Sequence, residues 1–152
     1  MWDIGNGLGL LSFAGLFYLF IEVGQGARQR VHQLISYGVA GCALLHVLWL
    51  WIPDATLWHY MLWDAPYYML AGWLSLLALA GTILIALPGA RRFWYAGFVS
   101  FRRWHYWLSL SVVVTAWWHM TGSGFYISAT EAALYALLFA ALWQRQRLSK
   151  AS

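Results

Sequence analysis

Charge is what this chain has least of. Only 9% of its 152 residues are Asp, Glu, Lys or Arg, against about 25% in a soluble domain. Cysteine is nearly absent too. The single Cys42 excludes an internal disulfide and carries no information about redox compartment. No basic residue precedes the first apolar run, which follows Met1-Trp2-Asp3. It therefore reads as a retained helix and not as a cleaved signal peptide. What the chain does have is apolar surface, 62% hydrophobic residues spread over the whole length. This leaves no room for a separate soluble domain and predicts one membrane domain over residues 1–152. The net charge of +4 invites a nucleic-acid partner, but all nine basic residues fall in three short clusters between or after apolar runs. Clusters so placed report topology, and no nucleic-acid partner is expected.

Five apolar segments approach the ~20 residues that a spanning helix needs. They run from about Ile4 to Val23, Val31 to Ile52, Pro66 to Leu87, Arg102 to Met120 and Phe125 to Gln144. Arg28 and Arg30 lie between the first two. Arg91, Arg92, Arg102 and Arg103 lie between the third and fourth, and Arg145, Arg147 and Lys150 follow the fifth. With five spans all three clusters share one side. The N-terminus, the segment Pro53 to Ala65 and the turn Thr121 to Gly124 share the other, which has no Lys or Arg. The positive-inside rule then places the N-terminus outside and the C-terminus in the cytoplasm. The expected fold is an all-α, five-helix, multi-pass bundle in the cell inner membrane, with lipid as its immediate surroundings. The aromatic stretch Phe93 to Phe101, flanked by arginine pairs, reads as a short helix lying in the cytoplasmic interface. Trp49, Trp51, Trp58, Trp63, Trp117 and Trp118 read as an outer aromatic belt.

Two histidine pairs share one spacing. His32 and His46 are 14 residues apart in span two, and His105 and His119 are 14 apart in span four. Fourteen helical residues rise about 21 Å and turn through about 1400°, within about 40° of whole turns. Each pair thus lies on nearly one helix face, with one histidine towards each side of the membrane. The span count makes spans two and four parallel, so His32 faces His105 near the cytoplasm and His46 faces His119 near the outside. A histidine in a membrane helix ordinarily makes an interhelical hydrogen bond. Equal spacings on compatible faces with matched polarity instead favour two stacked metal centres, each held by one imidazole from each helix. Structural zinc wants four ligands, and no Cys, Asp or Glu is placed to complete such a set. Haem needs only two axial ligands from the protein. Without a CxxCH sequence, covalent c-type attachment is excluded. Filling both axial positions with histidine favours electron transfer over oxygen binding.

Other residues attach to this frame. Arg28, Arg30, Arg102 and Arg103 flank the inner pair and are candidates for the haem propionates, with topology alone as the alternative. Gly38 and Gly41, between the ligands of span two, either admit a flat macrocycle or pack helices closely. His59 in the external segment is either a surface histidine or a contact to an outer propionate or acceptor. Glu131, a turn or two into span five, is a candidate for a proton or quinone site. Glu22 lies near a span end, where a carboxylate costs little. Gly5-Asn-Gly7-Leu-Gly9 is not a dinucleotide loop, because no strand precedes it. No flavin or nicotinamide site is expected in this chain.

At these residues the chain resembles the ferric reductase-like transmembrane domain, the superfamily of ferric reductases, NADPH oxidases and the membrane haem subunit of the methionine sulfoxide reductase system. Arg30-Val-His32-Gln-Leu-Ile-Ser-Tyr-Gly38 through Leu44-Leu-His46 resembles the family's first ligand helix. That helix has a basic residue before its first His, a Gly further on, and a second His after thirteen intervening residues. Arg103-Trp-His105-Tyr-Trp-Leu through Trp118-His119 resembles the second. The resemblance implies an oxidoreductase, or the haem subunit of one, carrying electrons through two b-type haems across the membrane. The chain departs from many members by having five spans where they have six, and by ending without an FAD and NAD(P)H domain. A separate reductase subunit or a quinol is then the implied donor, and an external ferric or other oxidised compound the acceptor. The spacing also resembles the cytochrome b of quinol-oxidising complexes, without a quinol-site signature. The competing class is a haem-free membrane assembly or transport subunit whose histidines bond between helices.

Overall fold

The computed structural model describes residues 2–21, 27–52, 65–94, 98–124 and 140. Among them there is no strand, and five helices follow in order: α1 (Trp2–Ile21), α2 (Ala27–Trp51), α3 (Tyr67–Ala86), α4 (Pro88–Trp94) and α5 (Phe98–Ser123). The first four expected spans fall on α1, α2, α3 and α5. The fifth, Phe125 to Gln144, lies outside the described residues, as do Glu22, His59, Trp58, Trp63, Glu131 and the basic residues Arg145, Arg147 and Lys150.

Three helices are long and apolar enough to cross a membrane, over Asp3–Phe20, Gln29–Trp51 and Tyr67–Ala86. At 26 residues α5 is the longest helix, yet it is not one of the three. Its bulk comes from Trp and Tyr interleaved with Ser, Thr and His, and its first turns carry Arg102 and Arg103. So the described residues contain three strongly apolar helices where the sequence predicts four spans.

The helix ends follow local chemistry. Asp3 sits in the first turn of α1, at the positive end of the helix dipole. Pro66 caps α3, and its carbonyl accepts from the Met69 and Leu70 amides. At the other end Leu87 is extended, with φ −61° and ψ 137°, because a residue before proline is pushed out of the α region. Pro88 then opens α4. Of the interfacial helix expected over Phe93 to Phe101, Phe93 and Trp94 lie in α4 and Phe98 to Phe101 in the first turn of α5, while residues 95–97 lie outside the described residues. The expected turn Thr121 to Gly124 is also shorter. Thr121 to Ser123 are helical, and Gly124 alone adopts a positive φ of 66°, the left-handed position that glycine takes after a helix.

The helices pack as two antiparallel hairpins, α1 with α2 and α3 with α5. In the first, Gly5 lies under Leu50 and Gly15 under Val39. In the second, Gly122 lies under Tyr68. Glycine at these crossings lets the backbones approach. The hairpins meet through α1 and α5, where ring centroids of Phe13 and Trp117, and of Phe20 and Tyr106, are each 5.9 Å apart. Among the described residues few side chains are buried: Val39, Ala71, Val112 and Val113, with the polar Ser12 and Thr82. Many large apolar ones, including Leu34, Leu44, Leu74, Leu77 and Leu84, face outward.

Candidate functional site

The four helical histidines meet in two pairs between α2 and α5. Ring centroids of His32 and His105 are 6.4 Å apart, with planes inclined at 57°. Those of His46 and His119 are 6.3 Å apart, at 72°. Both pairings require α2 and α5 to run parallel and in register. Val39 and Val112 stand seven residues from each histidine of their own helix, and both are buried. The core thus forms a layer between the two histidine levels.

The His46–His119 pair, the outer one in the topology expected from the sequence, is anchored twice over. His46 Nδ1 lies 2.7 Å from the Gly5 carbonyl oxygen, and His119 Nδ1 lies 2.7 Å from the Tyr68 carbonyl oxygen. A carbonyl only accepts, so in each ring Nδ1 carries the proton and Nε2 keeps its lone pair for a ligand. Each ring also rests on a glycine one helical turn beyond the accepting carbonyl. A Cβ built on Gly9 would lie 2.9 Å from His46 Nδ1, and one on Gly72 would lie 2.8 Å from His119 Nδ1. A cavity of about 540 Å³ opens beside both rings, within the ~300–1,000 Å³ of cofactor pockets. Its walls include Ser12, Phe13, Trp73, Ser75 and Met120.

The inner pair is held differently. The Phe101 ring stacks on His105, with centroids 5.4 Å apart and planes 27° apart. His105 Nδ1 is buried and has no hydrogen-bond partner among the described residues. A buried polar atom left without a partner is costly, unless a ligand completes it. The Ser36 hydroxyl donates to the His32 carbonyl at 2.7 Å, a bond within the helix. Arg30, Arg102 and Arg103 are exposed, and Arg28 lies in the first turn of α2. Arg91, which sequence reasoning treats only as a topology marker, reaches towards this level: its guanidinium carbon lies 4.8 Å from the centroid of Phe101, the ring stacked on His105. A Cβ on Gly38 or Gly41 would meet nothing within 4 Å. These glycines therefore do not serve close packing of described helices, and the space beside them is open.

A repeat unites these details. His32, Ser36, Val39, Ala43 and His46 recur as His105, Ser109, Val112, Ala116 and His119, each 73 positions on, with Arg30 recurring as Arg103. Gly9 and Ser12 recur 63 positions on as Gly72 and Ser75. The contacts recur as well. The Ser12 hydroxyl donates to the Val39 carbonyl at 3.2 Å, and the Ser75 hydroxyl to the Val112 carbonyl at 3.2 Å. Among the described residues, α1 with α2 and α3 with α5 thus form two similar helical hairpins, and each histidine level takes one ring from each. The signal was present in the sequence, but identities this sparse are noticed only when contacts pick out which positions to align. Ser12→Ala and Ser75→Ala should each cost about 0.6 kcal/mol, the usual worth of an interhelical hydrogen bond in a membrane protein. Equilibrium unfolding in mixed detergent reads the cost, and a several-fold difference between the two would show that the contacts are not equivalent.

Two imidazoles facing each other can share one metal ion. A metal–imidazole bond is about 2.0–2.1 Å, and the ring nitrogen lies about 1.1 Å from the ring centre, which puts the two centres roughly 6.2–6.4 Å apart across the ion. Both pairs stand at that separation. No group of three or more His, Cys, Asp or Glu side chains converges among the described residues, so among them each level offers two such donors. That donor set suits a group bringing its own equatorial ligands. Comparison with family models, with curated proteins and with solved structures finds no match for this chain.

Proposed function

We propose that this chain is a di-haem membrane cytochrome b of the ferric reductase-like kind. It would pass electrons between a cytoplasmic or membrane donor and an external acceptor. The observation that carries the reading is the separation of both histidine pairs, 6.4 Å and 6.3 Å between ring centroids, which is the spacing of two imidazoles across one iron. The open cavity at the outer pair and the Nε2 positions of His46 and His119, left for a ligand by Nδ1 bonds to backbone carbonyls, support it. Bound haem supplies reversible one-electron iron chemistry whose potential follows axial ligands and burial.

The chain's own residues would do the rest. His46 and His119 present Nε2 in a fixed orientation, because their Nδ1 protons are committed to the Gly5 and Tyr68 carbonyls. Phe101 holds the plane of His105. The valine layer at Val39 and Val112 keeps the two levels dry and separate. The outward-facing leucines suit lipid, where side chains of this kind carry no penalty. We assign the inner membrane as location, with donor entry at the His32 and His105 level. A separate reductase subunit or a quinol would supply the electrons, and a ferric or other oxidised compound outside would receive them.

The test is a reduced-minus-oxidised absorption spectrum of the purified protein, with haem quantified per chain. A low-spin b-type spectrum with two haems per chain is expected. One haem would remove one pair from the assignment. None, under ample haem supply, would overturn it in favour of histidines that serve only as interhelical bonds.

A further inference from the structure

A second cleft, of about 580 Å³, lies between the start of α2 and the α3–α4 junction. Gln29 and Gln33 line it from α2, Arg91 and Arg92 from α4, and Ala86, Pro88 and Phe98 complete its described walls. Gln29 and Gln33 are one helical turn apart and share a face. All four polar side chains can donate, two of them bear fixed positive charge, and no carboxylate lines the cleft among the described residues.

Arg91 is pre-positioned. Its guanidinium carbon lies 5.2 Å from the Phe98 centroid and 4.8 Å from that of Phe101. A guanidinium stacked on aromatic faces keeps its in-plane N–H edge for an oxyanion, and that edge matches phosphate. The border is apolar: Phe98 lines the cleft and is exposed, and Leu87, Phe93 and Val99, next in sequence to lining residues, are exposed as well, Phe93 to 83%. A soluble phosphate gains nothing from such a border. A phospholipid, with acyl chains beside its phosphate, gains from both parts. Two guanidiniums without a carboxylate favour a net negative headgroup over a zwitterionic one.

We infer that this cleft binds the phosphate of an anionic phospholipid. Arg91 is the oriented donor, Arg92 the second cation, and Gln29 and Gln33 donate to the remaining headgroup oxygens. The site does not depend on what the histidines hold.

The test uses the full chain in nanodiscs of phosphatidylcholine containing a minor fraction of phosphatidylglycerol, then native mass spectrometry after release into detergent. One phosphatidylglycerol per chain is expected to be retained in preference to phosphatidylcholine. The double variant Arg91→Gln/Arg92→Gln should weaken retention at least about tenfold, since each basic residue at an anionic surface contributes severalfold. Arg92→Gln alone, at an exposed position, should weaken it about threefold or more, and covers the case in which the double variant fails to fold. Arg147→Gln/Lys150→Gln removes the same charge elsewhere and should leave retention unchanged. Equal loss in that control would reduce the effect to diffuse attraction and overturn the site. So would equal retention of phosphatidylcholine. Displacement by millimolar glycerol phosphate would show that the cleft takes free phosphate, which overturns the lipid assignment.

Discussion

Replacing His119 with alanine is expected to halve the haem content, from two per chain to one, and to leave the signal of the inner level in place. The reason lies in how the levels are separated. His119 shares its level only with His46, 6.3 Å away between ring centres. The inner pair lies fourteen residues along the same helices, about 21 Å distant, beyond the buried layer of Val39 and Val112. One remaining imidazole cannot hold a six-coordinate low-spin iron, so any residual outer haem would turn high-spin. His46→Ala should give the same result, because the repeat makes the two rings equivalent. His105→Ala should do the opposite, removing the inner haem and sparing the outer. Haem quantification by pyridine haemochrome, with low-temperature EPR to count low-spin species, reads all three. Retention of both haems in His119→Ala would break the pairing at its root.

Gly72→Ala should come close to His119→Ala in its effect on the outer level, although it touches no proposed ligand atom. The added carbon would lie 2.8 Å from Nδ1, 3.0 Å from Cε1 and 3.1 Å from Cγ of His119. The ring cannot swing away freely, because its Nδ1–H is held to the Tyr68 carbonyl at 2.7 Å. Moving it breaks that bond and turns Nε2 away from its partner. Loss of such an orienting contact typically weakens a metal site about 10–100-fold, and overpacking a helix contact costs about 1–3 kcal/mol. Alanine's better helix propensity returns at most about 1 kcal/mol. Gly9→Ala, where the added carbon would lie 2.9 Å from His46 Nδ1, should match it. Gly81→Ala is the internal comparison. A Cβ there meets nothing within 4 Å, so stability should rise by up to about 1 kcal/mol with no change in haem content. If Gly72→Ala and Gly81→Ala give the same spectrum and haem content, the glycine has no part in orienting the ring.

These two predictions were not equally legible in the sequence. The histidines were, because a helix has a fixed period and fourteen residues return to the same face. The glycines were not. Gly5-Asn-Gly7-Leu-Gly9 invites reading as a phosphate loop, and with that excluded nothing marks Gly9 as the seat of a ring 37 positions away. Gly38 and Gly41, which do lie between ligands, draw attention by proximity in sequence, and the structure places no described atom against them. Arg91 was similarly hidden. Its charge counts equally with that of Arg92 in topology, and only the fold of α4 onto the first turn of α5 sets it over Phe98 and Phe101.

Local periodicity and composition determined the all-helical class, the approximate extents of α1, α2 and α3, and the placing of four histidines at two levels. Those depend on interactions within a few residues: backbone bonds of one helical turn, the conformational restriction before Pro88, the scarcity of charge along an apolar run. The tertiary structure decided which carbonyls orient the imidazoles, which glycines carry their faces, which rings Arg91 lies over, and that the described helices repeat one hairpin. Each of those depends on which helix meets which, and at what depth. Helix packing is settled by the fit of side chains from segments far apart in sequence, and a single helix's period carries no record of its neighbour.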